Sequence, residues 1–249
     1  MRSALTVDHL WESVPAGHQR PFSPARISHL PAMVQRYLTH AIAQQTPLAS
    51  AVRLRMHGEI KLKRWHPFDA VQVLRWDRRM IWEATIRWHG IPIRGFDRVV
   101  DGIGAMKWKL FGAIPIVSAS GPDVTRSAIG RIHAESIWLP SGLCEGDVAW
   151  SVRNQSRIRA RFTAYGRGAE LDLKVQDDGR LEAVKLPRWG NPDGKAFRDV
   201  DFGALVEAEA AFSGYTIPSR LRVGWRFDGA EFRGDGEFFR VTVDDATYR

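Results

Sequence analysis

Ten tryptophans in 249 residues, most of them on faces that alternate with polar positions, constrain this chain more than any other feature. Met80, Trp82, Ala84, Ile86 and Trp88 alternate with Ile81, Glu83, Thr85, Arg87 and His89. Val148, Trp150 and Val152 repeat the pattern, as do Leu221, Val223, Trp225 and Phe227. A period of two puts bulky rings on one side of a pleated strand. A sheet with so much aromatic area on one face must cover it with helices, curl around it, or hold a ligand against it.

Along the chain the period changes twice. Residues 1–27 are rich in His, Pro and Ser, show no sustained period, and read as a loosely ordered arm that packs through Leu10 and Trp11. Ser28 reads as a helix N-cap with Pro31 in the first turn, and Val34, Tyr37, Leu38, Ala41 and Ile42 share one helical face. This predicts a helix near 28–44. From residue 51 the period is two, with strands expected at 52–62, 70–76, 79–89, 92–100 and 103–111, punctuated by Gly90, Gly95, Gly102 and Gly112. Pro122 and Asp123 open a second helix, near 122–138, on which Val124, Ala128, Arg131, Ile132 and Glu135 share one side. Further strands fit 147–153, 157–165, 169–176 and 180–186, with Asp177-Asp178-Gly179 as a hairpin turn. Arg188 to Asp199 reads as a long loop, followed by strands at 204–213, 217–227 and 231–243. The order helix, strands, helix, strands disfavours a parallel sheet. The expectation is a mainly β (α+β) chain: one large, highly curved antiparallel sheet of about nine to twelve strands packed on two or three helices, forming one domain over 28–249.

Charge and motifs narrow the function classes. The formal net charge of +8 favours an anionic partner such as an acidic lipid surface or nucleic acid. Seven lysines and two asparagines in an arginine-, alanine- and glycine-rich chain also fit a coding bias with no partner behind it. The single cysteine, Cys144, excludes an internal disulfide, and acidic Glu145 beside it disfavours a thiolate nucleophile. Residues 1–27 lack the apolar core of about 7–15 residues that a secretion signal needs. No window approaches the roughly 20 apolar residues of a membrane span, so the chain is expected to be soluble and cytoplasmic. The eight histidines have no metal-site spacing, and no phosphate-binding glycine motif or Gly-x-Ser-x-Gly elbow occurs. No metal or cofactor is expected.

Four stretches together resemble an uncharacterised bacterial family known only as a domain of unknown function. They are Leu30-Pro31 with Arg36-Tyr37-Leu38; Trp65-x-Pro67-Phe68-x-Ala70; Arg131-x3-Glu135-x2-Trp138-x-Pro140; and Gly214-Tyr215-x-Ile217-Pro218 with Trp225 seven residues on. Order and spacing carry this resemblance, which spans residues 30–245. The family's pattern is similar to the LolA-like half-barrel of periplasmic lipoprotein carriers, and it implies a strongly curved sheet around helices with an apolar concavity.

Candidate site residues follow. Trp82, Trp88, Trp108, Trp150 and Trp225 are expected to line the concavity, with Arg131 meeting a polar head. Arg131 and Glu135, four apart on the apolar side of a helix, fit a structural ion pair or a functional acid. Asp97 and Asp101 share a strand face and fit either a solvated outer face or a carboxylate pair sharing a proton or a metal; Glu207 and Glu209 are expected to face solvent. Arg157, Arg159 and Arg161, with Arg220, Arg222 and Arg226, would form a basic outer wall if their strands are neighbours. The expected function is non-catalytic binding of a lipid, acyl chain or isoprenoid. The alternatives are a hydrolase or cyclase using Glu135 with Asp97 or Asp101, and a basic membrane-surface or interaction protein. Nucleic acid is disfavoured because the aromatics fall on the face opposite the arginines.

Overall fold

In the computed structural model, which describes residues 5–15, 20–144 and 147–249, thirteen antiparallel strands form one curved, open sheet, a half-barrel. Six come first: β1 (Ala51–Leu62), β2 (Arg64–Arg75), β3 (Met80–Trp88), β4 (Ile91–Val100), β5 (Ile103–Leu110) and β6 (Ile114–Ser120). Helix α3 (Pro122–Glu135) follows, then β7 (Ala149–Asn154), β8 (Arg157–Ala164), β9 (Arg167–Val175), β10 (Leu181–Gly190), β11 (Arg198–Phe212), β12 (Tyr215–Trp225) and β13 (Glu237–Tyr248). The spatial order is β6-β5-β4-β3-β2-β1-β13-β12-β11-β10-β9-β8-β7. The first and last strands therefore pair at the centre, and α3 links the two free edges. Among the described residues no helix is long and apolar enough to cross a membrane.

Short connections make each half a meander. His89-Gly90 and Phe111-Gly112 have positive φ at both positions (50° and 82°, 51° and 73°), the two-residue turn whose twist matches that of the strands it joins. The inner face then follows the sequence alternation. Met80, Trp82, Ala84 and Ile86 are all buried, and so are Ile158, Ala160, Phe162 and Ala164 on β8.

α3 crosses the concavity, touching β4, β5 and β6 on one wall and β9 and β10 on the other. Close approach needs missing side chains. A Cβ on Gly104 would stand 2.5 Å from the Thr125 Cα, and one on Gly95 would stand 2.4 Å from the Trp108 ring. Helix α2 (Ala32–Ala41) buries Val34, Tyr37, Leu38 and Ala41 against β7 and β12. Helix α1 (Val7–Glu12) lies on the opposite, outer face: Val7 and Leu10 pack on Val73 and Ile81, and the Val7 amide donates to Glu83 Oε1 at 3.0 Å.

Several boundaries differ from the sequence expectation. Pro31, not Ser28, is the N-cap of α2; Ser28 closes a 3-10 turn by donating its hydroxyl to the Ala25 carbonyl. Strand β6 is additional, since Ile114-Pro115-Ile116-Val117 lacks alternation, and β2 begins at Arg64. The predicted Arg188–Asp199 loop is shorter, because β10 runs to Gly190 and β11 starts at Arg198. The last strand begins at Glu237 after a 3-10 turn at Ala230–Arg233. Glu209 is not solvent-facing. Bulges beside Ala208 turn its carboxylate to His40 Nε2 at 2.8 Å and the Leu181 amide at 3.1 Å. Glu145, Gly146 and His18 lie outside the described residues.

Two outcomes test this packing. Gly95→Ala should destabilise the protein by about 1–3 kcal/mol in urea unfolding, because its methyl group overpacks Trp108. His133, buried edge-on to Phe162 at 5.2 Å, has its pKa pulled down to about 4 by burial and by Arg78. The unfolded chain takes up that proton first, so stability falls as pH drops from about 6.5 to about 4. His133→Leu should remove that part of the pH dependence in denaturation series across this window.

Candidate binding site

Beneath α3 the sheet does not close completely. A hollow of about 140 Å³ remains between the inner face and the segment from Arg131 to Trp138. Its walls are mostly apolar: Ile60, Val223, Phe238 and Phe239 from the centre of the sheet, Trp82 from one side, Val184 and Phe202 from the other. The aromatics brace one another. Trp82 lies 5.7 Å from Trp108 and 6.1 Å from Phe239, ring centre to ring centre, and Phe68 stacks on Phe239 at 4.8 Å. Trp138, which follows α3 in a 3-10 turn, donates its indole N–H to the Pro218 carbonyl at 2.9 Å.

Four charged residues reach this apolar space: Asp97, Arg131, Glu135 and Arg188. Arg131 Nε donates to Glu135 Oε1 at 2.6 Å, and its Nη1 donates to Asp97 Oδ2 at 3.2 Å. Gln72, fully buried on β2, donates to the other Glu135 oxygen at 2.6 Å. The Arg131 guanidinium also lies over the Trp82 ring at 4.8 Å. Burial opposes its charge, but Glu135 and Asp97 outweigh burial and raise its pKa. For Asp97 burial wins over Arg131, and the carboxyl pKa rises.

Arg188 is different. It donates Nε to the Ser127 carbonyl at 3.1 Å and lies over Phe202 and Trp225 at 4.5 and 5.1 Å. Its stem passes Gly130 on α3, where a Cβ would meet Arg188 Cγ at 2.8 Å. Among the described residues it forms no ion pair, and burial followed by repulsion from Arg131 pulls its pKa down to about 10. Among the described residues Trp82 Nε1 is likewise buried with no hydrogen-bond partner. The hollow thus offers donors that the protein itself leaves unused.

The sequence candidates separate clearly. Trp82, Arg131, Glu135 and Asp97 come together at the hollow. Trp108 and Trp225 stand one layer behind, against Trp82 and against Phe202. Trp150 lies elsewhere, 6.3 Å from Tyr37, with its indole bonded to the Leu143 carbonyl. Trp88 is 43% exposed at a hairpin tip. Asp101 is a turn residue paired with Arg79 at 2.9 Å, far from a shared-proton arrangement with Asp97. Arg188, Phe238 and Phe239 are not among the sequence candidates, and Trp138 enters there only through the family resemblance. Arg188 falls in the expected loop, and Phe238 and Phe239 are adjacent apolar residues inside the strand expected at 231–243, where alternation does not say which of them faces inward.

The proposed arginine wall does not form. β8 and β12 are separated by β9, β10 and β11. Arg159 pairs with Asp172 at 2.5 Å and Arg161 with Glu170 at 2.9 Å, while Arg220 pairs with Glu207 at 3.2 Å and Arg222 with Glu237. Acidic neighbours on adjacent strands neutralise these arginines.

Removing Arg131 leaves two partly buried carboxylates without their shared cation. Arg131→Met should cost about 3–5 kcal/mol of unfolding free energy by urea titration. A loss below about 1 kcal/mol would place the pair among exposed ion pairs of little consequence.

No curated protein matches the chain. Among solved structures, it is similar to an outer membrane lipoprotein-sorting protein domain from Vibrio parahaemolyticus, with 6% identity, a TM-score of 0.43, and coverage of 80% of this chain and 86% of that one. It is also similar to a LolA superfamily protein from Nitrosomonas europaea, with 11% identity, a TM-score of 0.43, and coverage of 88% and 92%. The sequence profile that matches residues 28–248 is decisive: this chain belongs to DUF6920, a family of unknown function.

Proposed function

We propose that the protein binds an amphipathic molecule, with an apolar chain against the aromatic walls and an oxygen-rich anionic head at Arg188. The observation that carries this reading is the Arg188 guanidinium, without an ion-pair partner among the described residues, at the edge of a hollow walled by Trp82, Phe202, Phe238 and Phe239. Apolar pockets bind through area while a few polar groups fix orientation. A planar guanidinium fits carboxylate and phosphate oxygens two at a time. Trp82 Nε1 supplies a further donor.

Size limits what enters. The 140 Å³ hollow is close to the roughly 150 Å³ apolar cavity that takes up benzene in another protein, and below the ~300 Å³ of typical ligand pockets. It accommodates a head and the first few carbons. A longer chain needs α3 to move outward, and lipid, acyl and isoprenoid chains all fit this description. Turnover is less well supported, since both Glu135 oxygens are already engaged by Arg131 and Gln72.

Titration of tryptophan fluorescence with dodecanoate, dodecyl phosphate and dodecanol tests the reading. The anionic amphiphiles should bind about tenfold or more tightly than the alcohol, and Arg188→Gln should erase that preference while leaving dodecanol binding in place. No binding of any of the three, with no lipid found by mass spectrometry in the purified protein, would falsify it.

A further inference from the structure

Three hairpin tips stand side by side at one end of the β1–β6 half of the sheet. They join β1 to β2 at Lys63, β3 to β4 at His89-Gly90, and β5 to β6 at Phe111-Gly112. Register staggers them: counted from the paired row Gly58, Phe68, Ile86, Ile93 and Leu110, Lys63 lies five residues on, His89 three and Phe111 one. His66 and His89 touch across the first two tips, 5.5 Å apart.

These tips hold most of the molecule's unexplained surface. Leu62, Trp88, Phe111 and Ile114, with Ile116 and Val117 along β6, are 41–60% exposed, and they are six of the ten exposed large apolar side chains among the described residues. The same segments, 61–64, 87–94 and 107–117, carry seven Lys and Arg residues and no Asp or Glu. Subtracting them from the chain total of 36 leaves 29 basic residues against 28 acidic ones. These three segments thus carry seven of the eight excess positive charges, with Asp69 and Asp235 beside them offsetting two. Four of the seven lysines are here, Lys61, Lys63, Lys107 and Lys109, a concentration that a general coding bias toward arginine does not produce.

The charges are also poorly satisfied by the protein. Lys61 reaches Asp235 at 3.5 Å and Arg87 reaches Asp69 at 2.5 Å. Lys63, Arg64, Arg94, Lys107 and Lys109 make no ion pair among the described residues. Arg94 and Lys109 are direct cross-strand partners, and like charges so placed are destabilising without a counter-charge.

We infer that this end of the sheet docks on an anionic lipid bilayer, with the hairpin tips in the interface and the basic residues among the headgroups. Apolar tips flanked by lysine suit a bilayer, where apolar groups enter the acyl boundary and long cationic stems reach back to the phosphates. Tryptophan is favoured at that depth. A nucleic acid would call instead for flat aromatic platforms along a groove, whereas four of these six exposed apolar side chains, Leu62, Ile114, Ile116 and Val117, are aliphatic. Association between sheet edges is opposed by Pro115, which removes a backbone donor from edge strand β6. Ile60, two residues before Leu62, lines the hollow beneath α3, so the bilayer face and the binding site share strand β1. The docking inference does not require the ligand assignment to be right.

Co-sedimentation with vesicles tests it. The full chain should bind phosphatidylcholine vesicles containing about a third phosphatidylglycerol, bind pure phosphatidylcholine far less, and release as salt rises. K63E/R64E should weaken binding by about tenfold or more. Phe111→Ser with Ile114→Ser should weaken it as well and leave a weaker, fully salt-sensitive association. The control pair R153E/K195E makes the same charge change at exposed positions away from the tips and should bind like the parent protein. Trp88 emission should shift to the blue with the anionic vesicles only. All six substituted positions are exposed or at turns, and unchanged thermal melting will confirm that each variant is folded. Absence of vesicle binding by the parent protein overturns the inference. So does an equal loss in the control pair, or retention on single-stranded RNA in preference to vesicles.

Discussion

The ion cluster centred on Arg131 is the interaction on which the rest of the architecture depends. Its guanidinium holds Glu135 from its own helix and Asp97 from the facing wall, so α3 cannot slide along the sheet without uncovering a charge in an apolar setting. Few apolar residues on α3 are fully buried: Ile129, Ile132 and Ala134, alongside His133. A helix seated by area alone would sink until the concavity was filled. One tethered by directional polar contacts, and spaced by Gly104 and Gly130, stands where those contacts put it and leaves a hollow behind.

Chain topology makes that arrangement possible. Pairing of β1 with β13 at the middle of the sheet sends both free edges outward, and the connection between them must cross the open side. α3 is that connection. Residues from both halves of the chain therefore face each other under it: Trp82 and Asp97 from the first meander, Val184, Arg188 and Phe202 from the second. The polar groups left over, the Arg188 guanidinium and the Trp82 indole N–H, lie on opposite sides of this seam.

Much of the fold was legible because alternation is a local property. The pleat alone sends Met80, Trp82 and Ala84 inward and Glu83 and Thr85 outward, whatever strands lie beside them. The Arg131–Glu135 pair was legible for a similar reason, since residues four apart on a helix are neighbours by construction. Strand β6 was not, because Ile114-Pro115-Ile116-Val117 is apolar without a period. Glu209 was misplaced because a bulge shifts the alternation by one residue, and no local pattern announces it.

The amino-acid sequence alone determined which side chains face the interior and where each half of the sheet turns, since both depend on contacts within a few residues. Tertiary structure decided what those side chains meet. It gave Arg159 and Arg161 acidic neighbours on β9 in place of a basic wall, and it set Asp97 from β4 against Arg131 from α3. It also left Arg188 without a paired carboxylate among the described residues and gathered three hairpins at one end. Charge partnership and empty volume depend on distances between segments remote in sequence, and only the assembled sheet sets those distances.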